Sequence, residues 1–286
     1  MSMITIEEEK ALIERIRENV NLKYEPAKEP FTKEHLTRLC HELEQYPSAV
    51  AAACVEKGRR ADAYISRKDK YYTDASLHCT NHKVGARCGF AVTMRVGVPV
   101  PGFEPPTRAD LLRLIDASPK PVTLVIQVDE PEGMKLADSN FGGQFGRICH
   151  TCGVQNVICD GAIRDLDELE AMGMQLMIPG SVASTAPSVI YELNGRVTVA
   201  GMTVEPGEVV HMDRDGAVKF HVKDLEKLAV MCKAEKELEE WTDAVIEQAE
   251  TLEECIHAFE ISNYKSQLNE KMSFDHKENN EFGAYR

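Results

Sequence analysis

Apolar and polar residues repeat at two different periods along this chain, and the change of period divides it into regions. Over residues 5–19 the apolar positions Ile6, Leu12, Ile13 and Ile16 form a rough stripe among charged neighbours, which predicts an amphipathic helix. Pro26 and Pro30 interrupt the chain, and Thr32 can cap a second helix running through Gln45. A third helix is expected from Ser48 to Lys57, ending at Gly58. Residues 59–83 are polar and aperiodic and read as a long surface loop. From Phe90 the period shortens. Phe90–Pro99 alternates as a strand, and Arg108–Asp116 reads as a helix behind two prolines. Val122–Val128 is a β-branched run suited to a buried parallel strand. Helix 143–152, strand 154–159, helix 166–172 and strand 174–178 follow, an alternation that implies βαβ units on a parallel sheet.

After Pro179 the pattern changes again. Asn194-Gly195, Pro206-Gly207 and Asp215-Gly216 punctuate β-rich runs and predict an antiparallel meander of Arg196–Val199, Met202–Val204, Glu208–His211 and Ala217–Val222. Lys223 to about Ile261 is helical in period, and Ser262–Arg286 has no period and reads as a flexible or subunit-contacting tail. The expected organisation is therefore a helical extension over 1–45, an α/β domain over 46–222, a helix over 223–261 and a tail over 262–286.

Composition narrows the function classes. A formal net charge of -14 repels nucleic-acid backbones and anionic membrane, so neither is an expected partner. No apolar window spans a bilayer, and the amino terminus lacks an export signal; the expectation is a cytoplasmic protein. Nine scattered cysteines fit a reducing compartment, with Cys54, Cys159 and Cys232 read as small core residues.

The stretch Gly142–Asp165 carries the chemistry. Gly142, Gly143 and Gly146 open a helix, where free N–H groups favour a carboxylate or phosphate. The same glycines also suit a tight turn with close packing. Arg164 can grip a carboxylate bidentately, and Asp165 can offer a hard oxygen to Mg²⁺. Equally, Asp165 with Glu168 three residues on fits a capping box, and Arg164 fits a surface ion pair with Asp167 or Glu168. Spacing does not choose between these readings. Cys149-His150-Thr151-Cys152 lacks a second ligand pair and reads as core cysteines rather than a zinc site. His78, Cys79 and His82 read as loop residues at the surface.

Two motifs in register resemble a known family, strongest over 141–222 within a match of roughly 45–250. Gly153–Leu169 matches G-V-x-x-V-V-x-D-G-x-x-R-D-x-D-E-L with Ile158 for the second paired valine. Gly201–Gly216 matches G-x-x-V-x-P-G-D-x-V-x-x-D-x-x-G with Glu208 for the aspartate. The chain thereby resembles the ribonuclease-activity regulator A proteins and the class II pyruvate aldolase for 4-hydroxy-4-methyl-2-oxoglutarate and 4-carboxy-4-hydroxy-2-oxoadipate. The resemblance implies a swivelling β/β/α domain with a parallel sheet, an antiparallel meander and added terminal helices. It also implies a homotrimer or homohexamer with sites near subunit boundaries.

On the aldolase side, the resemblance implies that Arg164 binds a pyruvyl carboxylate, that Asp165 holds Mg²⁺ or Mn²⁺, and that Gly142, Gly143, Gln144 and Phe145 form the anion cradle. One position departs: aldolases carry an aspartate, and many relatives a glutamate, where this chain has Gly143. Asp129, Asp138 and Asp160 are candidates to take over that acid's work, none of them marked by a motif. The expectation is a metal-dependent lyase that cleaves a small 2-oxo acid to pyruvate. The alternative is a non-catalytic, protein-binding regulator on the same scaffold.

Overall fold

The computed structural model describes residues 32–59, 71–130, 134–185 and 188–269, together with residues 7 and 11. The helix expected over 5–19 otherwise lies outside the described residues, as does the tail beyond residue 269. Helix α1 (Lys33–Leu43) starts where the Thr32 hydroxyl accepts the His35 N–H at 3.2 Å, and it buries Leu36, Leu39, Cys40 and Leu43. Helix α2 (Ser48–Arg59) runs past Gly58. The two-residue strand β1 (His78–Cys79) then leads into β2 (Arg87–Gly97). Helix α3 (Arg108–Ala117), capped reciprocally by Thr107 and Asp110, crosses to β3 (Val122–Asp129). Helix α4 (Gly143–Thr151) crosses to β4 (Val154–Cys159), and α5 (Leu166–Ala171) crosses to β5 (Gln175–Ile178). These are the predicted βαβ units, and β2, β3, β4 and β5 are mutually parallel neighbours.

Antiparallel strands complete the layer. β6 (Val189–Leu193), β7 (Val197–Val199), β8 (Met202–Val204), β9 (Val209–Asp213) and β10 (Gly216–Phe220) follow in sequence. The main sheet runs β1-β5-β4-β3-β2-β9-β10, with β6 pairing the far end of β2. The meander is not continuous as expected: β7 and β8 form their own two-stranded sheet, while β9 and β10 join the main one. Side-chain alternation explains this layering. Val122, Leu124, Ile126 and Val128 of β3 pack with α3, α4 and α5, whereas Val125 turns to the β7–β8 hairpin with Val199, Met202 and Val204.

The reading of residues 59–83 as a surface loop needs correction over its described half. Tyr71, Cys79 and Asn81 are buried, and β1 adds an antiparallel strand to β5. The Gln175 side chain bonds both backbone groups of Asn81, at 3.2 and 3.0 Å. Asn81 Nδ2 donates to the Glu170 and Met174 carbonyls at 3.2 and 3.1 Å, so a polar side chain that made this segment look like a loop satisfies buried backbone instead. His78 and His82 are exposed, as expected.

Past a 3₁₀ turn (Val222–Asp224), helix α6 (Leu225–Glu247) packs with α1 and α2 over β9, β10 and Phe90. Two α1 side chains tie that helix to the domain: Lys33 donates to the Ala117 carbonyl at 2.9 Å and the Thr37 hydroxyl to that of Lys120 at 2.7 Å, while Lys120 in turn fills the Ile115 carbonyl at the α3 end. The helical period expected unbroken to 261 stops at Gln248. A new helix, α7 (Leu252–Asn269), begins with Thr251 and Glu254 bonding each other's backbone N–H groups. It carries eight residues of the expected tail.

Candidate functional site

The candidate site, the crevice expected at the end of β4, lies where β4 hands the chain to α5 beside the start of α4. The linking segment is pinned on both sides. Arg164 N–H donates to the Phe141 carbonyl at 3.1 Å, and Val182 N–H donates to the Ile163 carbonyl at 3.0 Å. Asp165 then adopts φ 60°, ψ 40°, a left-handed conformation uncommon for a residue with a side chain. That turn bends its carboxylate back across the crevice, where Oδ2 accepts the Gly143 N–H at 2.8 Å. Asp165 makes no side-chain cap on α5. The capping-box reading is therefore set aside: the aspartate is committed to the glycine turn instead.

The glycines separate into two roles. A Cβ on Gly146 would run into Leu169, so that glycine serves the packing of α4 on α5. A Cβ on Gly142 would lie 2.8 Å from Asp165 Oδ2 and 3.1 Å from Arg164 Cγ. One on Gly143 would lie 2.5 Å from Glu168 Oε2. These two glycines let three charged side chains close over a bare backbone.

Arg164 and Asp165 converge: Nε lies 3.5 Å from Oδ2, with the two side chains 39% and 37% exposed. The expected surface pairing of Arg164 with Asp167 or Glu168 is not formed; Glu168 faces Arg147 at 3.4 Å. Among the described residues Asp165 is the one carboxylate beside Arg164, which leaves the outer guanidinium N–H groups to face solvent. At the start of α4 the Gly143 N–H is taken by Asp165, so it is not part of an anion cradle. The N–H groups of Gln144 and Phe145 sit in the first helical turn with no intrahelical acceptor. Phe145 is fixed by an edge contact with Phe141 at 5.7 Å and by Arg108 4.8 Å from its ring centre.

The acids proposed to stand in for position 143 are engaged elsewhere. Asp129 pairs with Arg95 at 2.6 Å and accepts from Gln127 at 2.7 Å. Asp138 accepts the Ser184 hydroxyl. Asp160 accepts the Val128 N–H at 2.7 Å and pairs with Lys135, while burial pushes its carboxyl above the ordinary range. The carboxylate at the glycine turn is instead Glu168, which sequence reasoning treated as a capping or ion-pair partner. No local signal marks it, because its position follows from how α4 meets α5.

Cys149 is fully buried in the apolar cluster under α4, and burial pushes its thiol up to about 12. Among the described residues no three His, Cys, Asp or Glu side chains converge as a ready metal cluster. Among them, too, no helix is long and apolar enough to cross a membrane.

The layered α/β fold with a mixed sheet is shared with solved structures. One described as belonging to novel cellulases from microbes associated with the gut ecosystem superposes with TM-score 0.59 at 13% identity, over 81% of this chain and 99% of that one. An uncharacterized protein from Pseudomonas syringae pv. tomato gives 0.56 at 16%, over 79% and 98%. Streptomyces coelicolor RraAS2, an unusual member of the RNase ES inhibitor RraA protein family, gives 0.54 at 18%, over 76% and 99%. In sequence, 106 residues are 26% identical to uncharacterized protein MJ0644 of Methanocaldococcus jannaschii, covering 37% of this chain. The chain spans about half (51%) of the length of that curated relative. Residues 60–219 match the RraA-like family, described as Aldolase/RraA, and the chain belongs to it. The family includes both regulators and aldolases.

Proposed function

We propose that this protein is a divalent-metal-dependent carbon–carbon lyase acting on a small 2-oxo carboxylic acid, by retro-aldol cleavage or β-decarboxylation, to give pyruvate. One observation carries the reading. A guanidinium and a carboxylate, each more than one-third exposed, meet over side-chain-free glycines beside the first-turn N–H groups of a helix.

The residues present fit Mg²⁺ or Mn²⁺. Asp165 Oδ2 is anchored by Gly143, whereas Oδ1 has no partner among the described residues. A single oriented carboxylate suits a cation that binds through one or two carboxylates and keeps several waters. When bound, the metal would supply Lewis-acid polarisation of the 2-oxo group. The chain's own groups do the rest. Arg164 holds the substrate carboxylate through its outward N–H groups, and the Gln144 and Phe145 amides support the same anion. Gly143 keeps Asp165 aimed at the crevice despite its left-handed backbone. Charge developing on the 2-oxo oxygen during cleavage then lies among fixed positive ends that need no rearrangement.

The test is oxaloacetate decarboxylation with and without Mg²⁺. Turnover stimulated by Mg²⁺, reduced at least about tenfold in kcat/KM by Arg164→Ala, is the expected result. Absence of metal-stimulated turnover in the wild type, with Arg164→Ala indistinguishable from it, removes the lyase reading.

The second reading is a non-catalytic regulator, favoured by the absence of any side chain at Gly143. Under it the acidic surface would meet a protein partner and Arg164 would be dispensable to small-molecule binding. We also propose assembly as a homotrimer or homohexamer. Leu252, Ile256 and Phe259, on one face of α7 and 73%, 43% and 65% exposed, support this as an apolar stripe that the described residues leave uncovered.

A further inference from the structure

Cleavage of a 2-oxo acid leaves an enolate carbon that must collect a proton, and something in the crevice has to deliver it. We propose that Glu168 is that acid/base group, working in the space that Gly143 leaves open; the proposal rests on the lyase reading above. Its Oε2 lies 2.5 Å, and its Cδ 3.0 Å, from where a Cβ on Gly143 would stand, with Asp165 Cβ 3.2 Å from the same point. The carboxylate is thus placed over the first residue of α4, between the anion-binding amides and the metal-binding aspartate. Arg147 on the same helix holds Oε2 at 3.4 Å, which keeps a long, half-exposed side chain over the turn.

Elimination points the same way. Arg164 cannot give up a proton at any working pH. Asp165 has one oxygen tied to Gly143 and the other assigned to the metal. Asp129, Asp138 and Asp160 are held by Arg95, Ser184 and Lys135. Among the described residues, Glu168 is the carboxylate beside the glycine turn whose side-chain partner is an exposed arginine, and a glycine at position 143 is what admits it.

The steps balance. In decarboxylation of oxaloacetate the C3–C4 bond breaks, carbon dioxide leaves, and the electron pair moves into the C2–C3 enolate. The protonated Glu168 carboxyl then gives its proton to C3, forming pyruvate, and is recharged from solvent. In the retro-aldol direction the Glu168 carboxylate first takes the C4 hydroxyl proton as the C3–C4 bond breaks. It then returns that proton to C3, leaving pyruvate and the second carbonyl product. Run on pyruvate alone, the same group exchanges methyl protons with solvent.

The full-length protein with Mg²⁺ is therefore assayed in D₂O, following loss of the pyruvate methyl signal by NMR, while calorimetry measures oxalate binding separately. Glu168→Gln is expected to slow exchange about 100-fold while keeping oxalate affinity within about threefold. In Glu168→Ala, which clears the space beside position 143, exchange is expected to be slowed at least as much, and adding Gly143→Asp there is expected to restore at least about tenfold of the lost rate, because the new carboxylate starts from the vacated position. Wild-type exchange in Glu168→Gln overturns the proposal and leaves the lyase reading standing. So does loss of oxalate affinity in step with exchange, which would make Glu168 a structural group. A wild-type protein that neither exchanges pyruvate protons nor binds oxalate overturns both.

Discussion

Asp165 meets two demands that pull against each other. Its backbone sits in the left-handed region, and its carboxylate must reach back to Gly143. Asparagine can meet both, since it tolerates that backbone and offers an oxygen to the N–H, but it lacks the charge a hard cation needs. Asp165→Asn should therefore unfold within about 1 kcal/mol of wild type in urea while losing most Mn²⁺ affinity by calorimetry. Asp165→Ala adds the left-handed backbone cost and loses the hydrogen bond, whose worth is discounted for an acceptor more than one-third exposed. A loss of about 2 kcal/mol in the same urea assay is expected. Equal stability of the two variants would show that the strained turn does not depend on this carboxylate. At this scale the sequence was ambiguous for a physical reason. An aspartate followed three residues later by a glutamate looks the same whether it caps its own helix or crosses to another. Only the contact of α4 with α5 separates the two.

At the scale of elements, a buried polar network joins the terminal helices to the sheet. His211 on β9 is fully buried. Its Nε2–H donates to the Leu43 carbonyl at 3.0 Å, at the end of α1, and its Nδ1 accepts the Ser48 hydroxyl at 2.9 Å, at the start of α2. Burial holds its pKa below the ordinary histidine value, outweighing the pull of the Leu43 carbonyl, Asp213 and Glu44. The unfolded chain therefore binds a proton more readily than the folded one. This contribution to stability is intact above about pH 6.5, the ordinary histidine pKa, and is lost as pH falls below it. Urea midpoints should decline from neutral pH toward pH 5, and His211→Gln should flatten that part of the profile.

Nearby, Lys219 and Glu208 form a buried pair at 2.8 Å, and Glu208 also takes the Glu205 N–H of the Pro206-Gly207 turn at 2.8 Å. The glutamate that replaces the family's aspartate thus still serves its turn while reaching a lysine. Lys219→Met strips a buried carboxylate of its ammonium and should cost about 3 kcal/mol by denaturant titration.

Elements with a strong local signal were legible. Val122–Asp129 and Val154–Cys159 are buried over most of their length, and their Val- and Ile-rich sequences read as strands. Strand β6 was missed because its Val-Ile-Tyr-Glu-Leu is mostly half-exposed and pairs only with the end of β2. β1 is two residues long, and its partner lies about a hundred positions away. The stop after α6 carried a readable signal in Thr251-x-x-Glu254, overridden by the apolar period continuing on either side.

For the whole molecule, the parallel sheet fixes the level of the crevice, and the antiparallel strands and terminal helices enclose the sheet's other surfaces. The order of strands and helices was readable from periodicity, whereas the split of the meander was not, since turn dipeptides record reversals and not which sheet receives the next strand. The α7 stripe concerns surface beyond one chain. Sedimentation should report three or six copies, and a monomer at micromolar concentration would contradict the proposed assembly.

The most direct measurement of the central claim is calorimetric titration of oxalate into the full-length protein, with and without Mg²⁺, for wild type and Arg164→Ala. The account predicts one oxalate per chain, bound only when Mg²⁺ is present and lost or greatly weakened in the variant. Binding that ignores both Mg²⁺ and Arg164, or no binding at all, would contradict it.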